Sequence, residues 1–145
     1  MKPMLIDDID LHIEAAGSID RAALVPGMYL AWCVNLQLVA PKLEASFGRE
    51  ALRLRYRELT PAAFFLKVAH GRLTEDLLSE QGSAFAAHHY ARYRSDCAAA
   101  LYDAKDDWGT YDSIAPALTK AYYAFAEGGR KSERPSKHWW QGWRS

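Results

Sequence analysis

From the sequence we expect no segment that directs the protein into or across a membrane. A signal peptide needs a basic start followed by a continuous apolar run, but Met1 to Ile6 is short and leads directly into acidic residues. A membrane-spanning helix needs about eighteen apolar residues, and the longest candidate, residues 24–40, is interrupted by proline, glycine and amide side chains. We therefore expect a cytoplasmic protein without a membrane span.

Cysteine is scarce as well. Cys33 and Cys97 each fall within a predicted helix among apolar neighbours. Disulfides are rare in the cytoplasm, and a thiolate is costly in apolar surroundings. We predict that both cysteines are buried small apolar side chains, with neither a disulfide nor a nucleophilic role.

Motifs that mark common active sites are also missing. There is no Gly-x-Gly-x-x-Gly, P-loop, Gly-x-Ser-x-Gly or His-Glu-x-x-His sequence. Nucleotide-binding, serine-hydrolase and zinc-protease readings therefore have no motif to support them, although an active site can be assembled from scattered residues. We predict no catalytic residues, no cofactor and no metal site.

The composition is that of a folded domain. Half of the 145 residues are apolar and a quarter are charged, and a chain of this length buries roughly two-thirds of its unfolded surface. The formal net charge is zero, so no overall field attracts nucleic acid or an anionic membrane. The sequence predicts one self-sufficient globular domain.

Apolar spacing predicts an all-α fold, a compact single-domain bundle of about five to six helices with an irregular N-terminal arm and a C-terminal tail. We assign residues 1–127 to the helical domain and 128–145 to a basic, Trp-rich tail. Residues 50–57 alternate leucine or tyrosine with arginine, which is also typical of a strand, but their composition favours a helix. The first predicted helix lies within the apolar stretch 20–38 and begins at Val25 or Pro26. Further helices are predicted over residues 50–57, 61–69, Thr74 to Gly82, and 83–102. A last helix is predicted to be capped by Asp112 or Ser113 and to end at Gly128-Gly129.

Two groups of acidic residues are candidates for binding a basic protein partner. They are Asp7, Asp8 and Asp10 near the start of the chain, and Asp103, Asp106 and Asp107 in a later turn. Charge complementarity speeds encounter and orients docking. Such groups are more commonly solvated surface, and paired carboxylates could in principle serve catalysis if they were held rigidly.

Two other hypotheses stay open. His88 and His89 with Asp96 could form the site of a small hydrolase, although neighbouring helical residues point about 100° apart and do not easily share one metal. The tail combines five basic residues with Trp139, Trp140 and Trp143, a combination that can bind single-stranded nucleic acid. Because the body is neutral, we favour a protein partner over nucleic acid.

Several short motifs carry a resemblance to a known family. They are residues 27–32 (Gly-Met-Tyr-Leu-Ala-Trp), 57–61 (Arg-Glu-Leu-Thr-Pro) with Phe64-Phe65, 71–77 (Gly-Arg-Leu-Thr-Glu-Asp-Leu), 82–86 (Gly-Ser-Ala-Phe-Ala) and His89-Tyr90, followed by Trp108 and Tyr111. In these motifs the chain resembles an uncharacterised bacterial domain family, from about Asp7 to Glu127.

The resemblance implies a role rather than a chemistry. Many such small domains are similar to immunity proteins encoded beside polymorphic or contact-delivered toxins, which implies a cognate toxin as the partner. Two positions depart from the family pattern: Val25-Pro26 stands where a histidine is usual, and His70 stands where an acidic residue is usual. Any metal or acid chemistry at those positions would be lost here. The oligomeric state stays open.

Overall fold

The computed structural model describes residues 3–133 of the chain, and within that range it is an all-α bundle with a small two-stranded sheet. Two single-turn helices precede five longer ones. The elements in chain order are β1 (Leu5–Asp8), a 3-10 turn (Ile9–Leu11), α1 (Ile13–Ala16), α2 (Ile19–Ala22), α3 (Leu24–Asn35), α4 (Pro41–Arg55), α5 (Pro61–Ala69), β2 (Arg72–Thr74), a 3-10 turn (Glu75–Leu77), α6 (Glu80–Tyr102) and α7 (Trp108–Glu133).

Helix α3 is the centre of the bundle, as its nearly continuous apolar sequence predicts. Every residue from Leu24 to Val34 is buried, so no face of this helix meets solvent until Asn35. Gly27 allows α5 to pack closely, because a Cβ atom there would lie 3.1 Å from the Pro61 carbonyl oxygen. At the other side, Trp32 donates its indole N–H to Thr119 of α7 over 3.0 Å.

The turn between α6 and α7 is held against the start of α5. Thr60 caps α5 by accepting a hydrogen bond from the Ala63 amide, and Pro61 occupies the first helical position, as predicted. Asp106 then accepts hydrogen bonds from the Thr60 hydroxyl at 2.5 Å and the Ala62 amide at 3.0 Å. A side chain distant in sequence thus completes the helix cap.

The N-terminal arm is more ordered than its mixed sequence suggests. Strand β1 pairs antiparallel with β2, with an irregularity between Leu5 and Asp7, and the Ile9 amide donates to the Gly71 carbonyl at 3.0 Å. Of the four residues of β1, Asp7 is the buried one. The arm therefore directs an acidic side chain into the protein.

Three predicted boundaries were wrong. Thr74 ends β2 and begins no α-helix. Gly82 lies inside the first turn of α6, where it is required because an added Cβ would lie 2.3 Å from the Leu38 carbonyl oxygen. Helix α7 begins at Trp108, four residues before the predicted cap, and continues beyond Gly128-Gly129 to Glu133. Glycine lowers helix stability but does not by itself end a helix.

Residues 50–57, whose alternating sequence is also typical of a strand, form a helix in the structure over most of their length. They belong largely to α4, which contains a break in helical geometry at Phe47. Ala51 and Leu54 are buried while Leu52 is exposed, which is helical rather than alternating burial. The helical interpretation of this segment is confirmed. No helix in residues 3–133 has the length and apolarity needed to cross a membrane.

Candidate functional site

A buried acid–imidazole pair joins the N-terminal arm to the bundle. Asp7 is 0% and His12 is 2% exposed. His12 Nε2 lies 2.7 Å from Oδ2 of Asp7 and 2.9 Å from Oδ1. Because a carboxylate can only accept, Nε2 carries the proton in this contact. Burying such polar groups is costly unless each is hydrogen-bonded, so the pair must be completed by other side chains.

Helix α6 supplies these side chains. Tyr90 donates its hydroxyl to Oδ2 of Asp7 at 2.5 Å, and Arg94 Nη1 lies 3.5 Å from Oδ1. Tyr102 forms a short hydrogen bond with Nδ1 of His12. Tyr90 and Arg94 are four residues apart and lie on the same side of the helix, and Tyr102 lies about two turns further along, where it reaches His12. We call Asp7, His12, Tyr90, Arg94 and Tyr102 the buried polar cluster.

The cluster fixes the charge state of Asp7. Burial alone would raise the pKa of its carboxyl group, but the hydrogen bonds from His12 and Tyr90 and the attraction of the imidazole outweigh burial and lower the pKa below 3.8. Burial together with the negative charge of Asp7 raises the pKa of Tyr90 well above 10.0. At neutral pH Asp7 is thus ionised and Tyr90 is a neutral donor.

The cluster is not sealed from solvent on all sides. A pocket of about 500 Å³ lies against it, between the N-terminal arm and α6. Its polar wall contains His12, Arg94, Ser95 and Tyr102, and the remaining wall is formed by leucine and alanine side chains. The half-buried Tyr102 therefore links a solvent-accessible pocket to a buried Asp–His pair.

Outside the cluster, the same arm exposes a concentration of apolar side chains. The described residues include eight large hydrophobic side chains that are exposed, and five of the eight lie within the first nineteen residues. Exposed acidic side chains are interspersed among them. We call this set the N-terminal surface: Met4, Leu5, Asp10, Leu11, Ile13, Glu14, Ile19 and Asp20.

The three predicted partner-binding acids of the N-terminal arm differ in their exposure to solvent. Asp7 is buried within the cluster, so its carboxylate cannot meet a partner in this conformation, and that assignment requires correction. Asp8 is mostly buried. Its Oδ1 accepts a hydrogen bond from the Asp10 amide at 2.9 Å, and its Oδ2 lies 3.4 Å from Nε of Arg72. Asp10 has an exposed side chain. The correction has a physical reason: only the pairing of β1 with β2 decides which acid faces inward.

The second predicted group has mainly structural contacts. Asp106 caps α5, as described above. Asp107 caps α7 by accepting the Thr110 amide at 2.8 Å, a hydrogen bond that lowers the pKa of its carboxyl group. Asp103 is exposed. Thus the structure leaves Asp10 and Asp103 as the predicted acids that are fully exposed and have no helix-capping role.

The structure brings the predicted hydrolase residues to one groove. His88, His89 and Asp96 all line a concavity of about 920 Å³ between α6 and α7. His89 stacks on Phe85 with ring centroids 5.1 Å apart, and burial lowers its pKa below 6.5. In the described part of the chain, no hydrogen bond links the three residues, and Asp96 lies 3.6 Å from Arg92. The hydrolase hypothesis for this groove stays a prediction.

Other expected sites were located as follows. Cys33 is buried and Cys97 is half-buried, and both are free thiols. Burial raises the pKa of each thiol, which keeps both in the less reactive protonated form.

Across residues 3–133, no group of three or more histidine, cysteine or acidic side chains is placed to hold a metal. Trp139, Trp140 and Trp143 lie outside the described residues, so the tail hypothesis stays a prediction.

Sequence reasoning missed the buried polar cluster. The spacing of Tyr90 and Arg94 could have shown that these two residues share a side of α6. Nothing in the spacing of Asp7 and His12 could have shown that α6 receives them, because the contacts span 83 to 90 residues. His12 lines a different pocket from the groove that contains His88 and His89.

Comparison with known proteins gives one family. Neither the curated proteins nor the solved structures contain a significant match to the chain. Residues 5–113 match a family described as a domain of unknown function, DUF7832. The matched range contains the whole buried polar cluster and most of the N-terminal surface, and it ends within α7. The chain belongs to the DUF7832 domain family.

Proposed function

We propose that the protein is an immunity-type binding protein that neutralises a cognate bacterial toxin by direct contact through its N-terminal surface. The observation that carries this proposal is the concentration of exposed apolar side chains on an arm that is anchored by a buried polar cluster. The toxin as partner rests on the resemblance of the sequence motifs to an uncharacterised bacterial domain family, because many such small domains are similar to immunity proteins.

Exposed apolar side chains support binding because the free energy of the complex falls when a partner removes them from water. Isolated exposed apolar residues are normal on protein surfaces, whereas a concentration of them marks an interaction site. Leu11, Ile13 and Ile19 lie within nine residues and are all exposed. A partner that covers them gains roughly 25 cal/mol for each Å² of apolar surface buried.

Rigid presentation of the arm also supports binding. A flexible segment loses conformational entropy when it binds, and this loss weakens binding. A segment that the fold already orders loses little conformational entropy on binding. The contacts of Asp7 and His12 with α6, together with the pairing of β1 and β2, fix both ends of residues 5–12. The part of the N-terminal surface within residues 5–12 is therefore preorganised before a partner binds.

Charge defines the chemistry of the partner. Asp10, Glu14 and Asp20 are exposed on the N-terminal surface, and Arg21 is the one cationic residue of the segment from residue 3 to residue 22. The complementary surface is basic with an apolar centre. Such a pairing speeds association, and the gain falls as salt screens the charges.

The test is co-purification with the product of the neighbouring gene, followed by titration calorimetry of the purified pair. We expect a stable complex in which Ile19→Glu weakens binding by at least about tenfold, since it places a charge in the apolar centre. The double variant Asp10→Lys/Glu14→Lys should slow association and remove most of its salt dependence.

Matched controls on other helices separate docking from a general loss of solubility or fold. Leu52 on α4 is 50% exposed against 51% for Ile19, so Leu52→Glu makes the same change at equal exposure. Glu127→Lys reverses an exposed charge on α7. Both controls should bind normally. Failure of the wild-type pair to associate, or equal weakening by Ile19→Glu and Leu52→Glu, contradicts the proposal.

A further inference from the structure

We propose that Tyr102 is a reactive hydroxyl, activated by the Asp7–His12 pair, that takes the acyl group of small activated carboxylic esters entering the adjacent pocket. This activity is separate from the docking proposed above and does not depend on it. The site consists of Tyr102 as the attacking group, His12 as its base and Asp7 as the residue that positions the base.

The direction of the hydrogen bonds supports this assignment. Nε2 of His12 faces the carboxylate of Asp7, and Nδ1 faces the hydroxyl of Tyr102. In the tautomer that carries its proton on Nε2, Nδ1 has a lone pair that accepts the Tyr102 hydroxyl, and the proposed acyl transfer requires this tautomer. The order is carboxylate, imidazole, hydroxyl, the same arrangement of roles as in an acid–base–nucleophile triad.

The protonation state of Tyr102 makes a base necessary. Burial and the charge of Asp7 raise the pKa of its phenol, and Arg94 acts in the opposite direction. The hydroxyl therefore keeps its proton at neutral pH and attacks only if His12 removes it. Asp7 then stabilises the imidazolium that forms, because it remains ionised and in contact with Nε2.

The pocket defines the class of acyl donor. Its volume of about 500 Å³ lies within the range of small-molecule sites, and the leucine and alanine side chains of its wall suit a short apolar acyl group. Arg94 contributes a positive charge to the same wall. A cation near the reacting carbonyl stabilises the negative oxygen that develops during attack.

The step balances as an acyl transfer without redox chemistry. The Tyr102 proton moves to Nδ1 of His12 while the phenol oxygen bonds to the carbonyl carbon. The bond from that carbon to the leaving oxygen then breaks, and His12 returns the proton to the departing alcohol or phenol. The product is an ester on Tyr102, and Asp7 and His12 return to their original protonation states.

The experiment treats the full chain with p-nitrophenyl acetate at neutral pH and follows acetylation of each tyrosine by peptide mass spectrometry. Tyr56 is 71% exposed and provides a matched internal control. If accessibility alone determined labelling, Tyr56 would react faster than the half-buried Tyr102. We expect Tyr102 to be acetylated at least about tenfold faster than Tyr56, because Tyr102, unlike Tyr56, contacts an imidazole that can act as its base.

The variant Asp7→Asn tests the relay without removing the tyrosine. It should lower the rate at Tyr102 to that of Tyr56 and leave the Tyr56 rate unchanged. Tyr102→Phe should remove the fast phase of p-nitrophenol release. The wild-type comparison needs no variant to fold: if Tyr102 is labelled no faster than Tyr56, the proposal is overturned.

Discussion

The carboxylate of Asp7 and the imidazole of His12 lie 2.7 Å apart, Oδ2 to Nε2, and both are excluded from solvent. They are close in sequence, but their contacts with Tyr90 and Tyr102 cross to α6. The pair therefore joins the N-terminal arm to helix α6. It holds the arm that carries the N-terminal surface, and it orients the hydroxyl at the adjacent pocket.

The first prediction concerns the stability that this pair provides. Asp7→Asn should lower the free energy of unfolding by about 3 kcal/mol, because removing one partner of a buried charged pair leaves the others without compensation. Urea denaturation followed by tryptophan fluorescence measures the change. Asp10→Asn, on an exposed side chain of the same arm, is the control and should stay within about 0.5 kcal/mol of wild type.

The pH dependence of this difference follows from the lowered pKa of Asp7. A carboxyl group with a folded-state pKa below its ordinary 3.8 stabilises the fold above 3.8 and loses that contribution as pH falls through the folded value. The stability difference between wild type and Asp7→Asn should therefore be complete at pH 6 and shrink below pH 3.8. A difference that stays constant down to pH 2 would show that the charge of Asp7 is not what stabilises the fold.

Two buried tyrosines make a matched pair for hydrogen bonding. Among the described residues, the Tyr29 hydroxyl is buried and has no hydrogen-bond partner, whereas Tyr93 donates to the Val25 carbonyl at 2.6 Å. Tyr29→Phe should be neutral or stabilising by up to about 1 kcal/mol, and Tyr93→Phe should destabilise by about 1 kcal/mol. Thermal unfolding of both variants measures the contrast, and equal losses would contradict it.

The sequence could predict those parts of the fold that depend on local pattern. The Thr60-Pro61 start of α5 and the burial of α3 follow from capping chemistry and continuous apolar composition, and the structure confirms both. The all-α class follows from the same spacing. The predicted helix boundaries at Gly82 and Gly128-Gly129 were wrong, because Gly82 is required inside α6 by the close approach of the Leu38 carbonyl rather than by turn geometry.

The candidate site depends on contacts that local pattern does not contain. Asp7 and Asp8 are equivalent in sequence terms, and only the strand pairing with residues 72–74 makes one buried and the other partly exposed. Likewise, Asp106 resembles a solvated acid until the fold brings Thr60 to it. The acidic residues were correctly recognised as a group, but their individual roles are set by tertiary structure.

The most direct test of the proposed function is the affinity of the purified wild-type protein for the product of the neighbouring gene, compared with that of Ile19→Glu and Leu52→Glu at one salt concentration. We predict tight binding for wild type and Leu52→Glu and at least about tenfold weaker binding for Ile19→Glu. Absence of wild-type binding, or equal affinities for the two variants, would contradict the assignment of the N-terminal surface as the docking site.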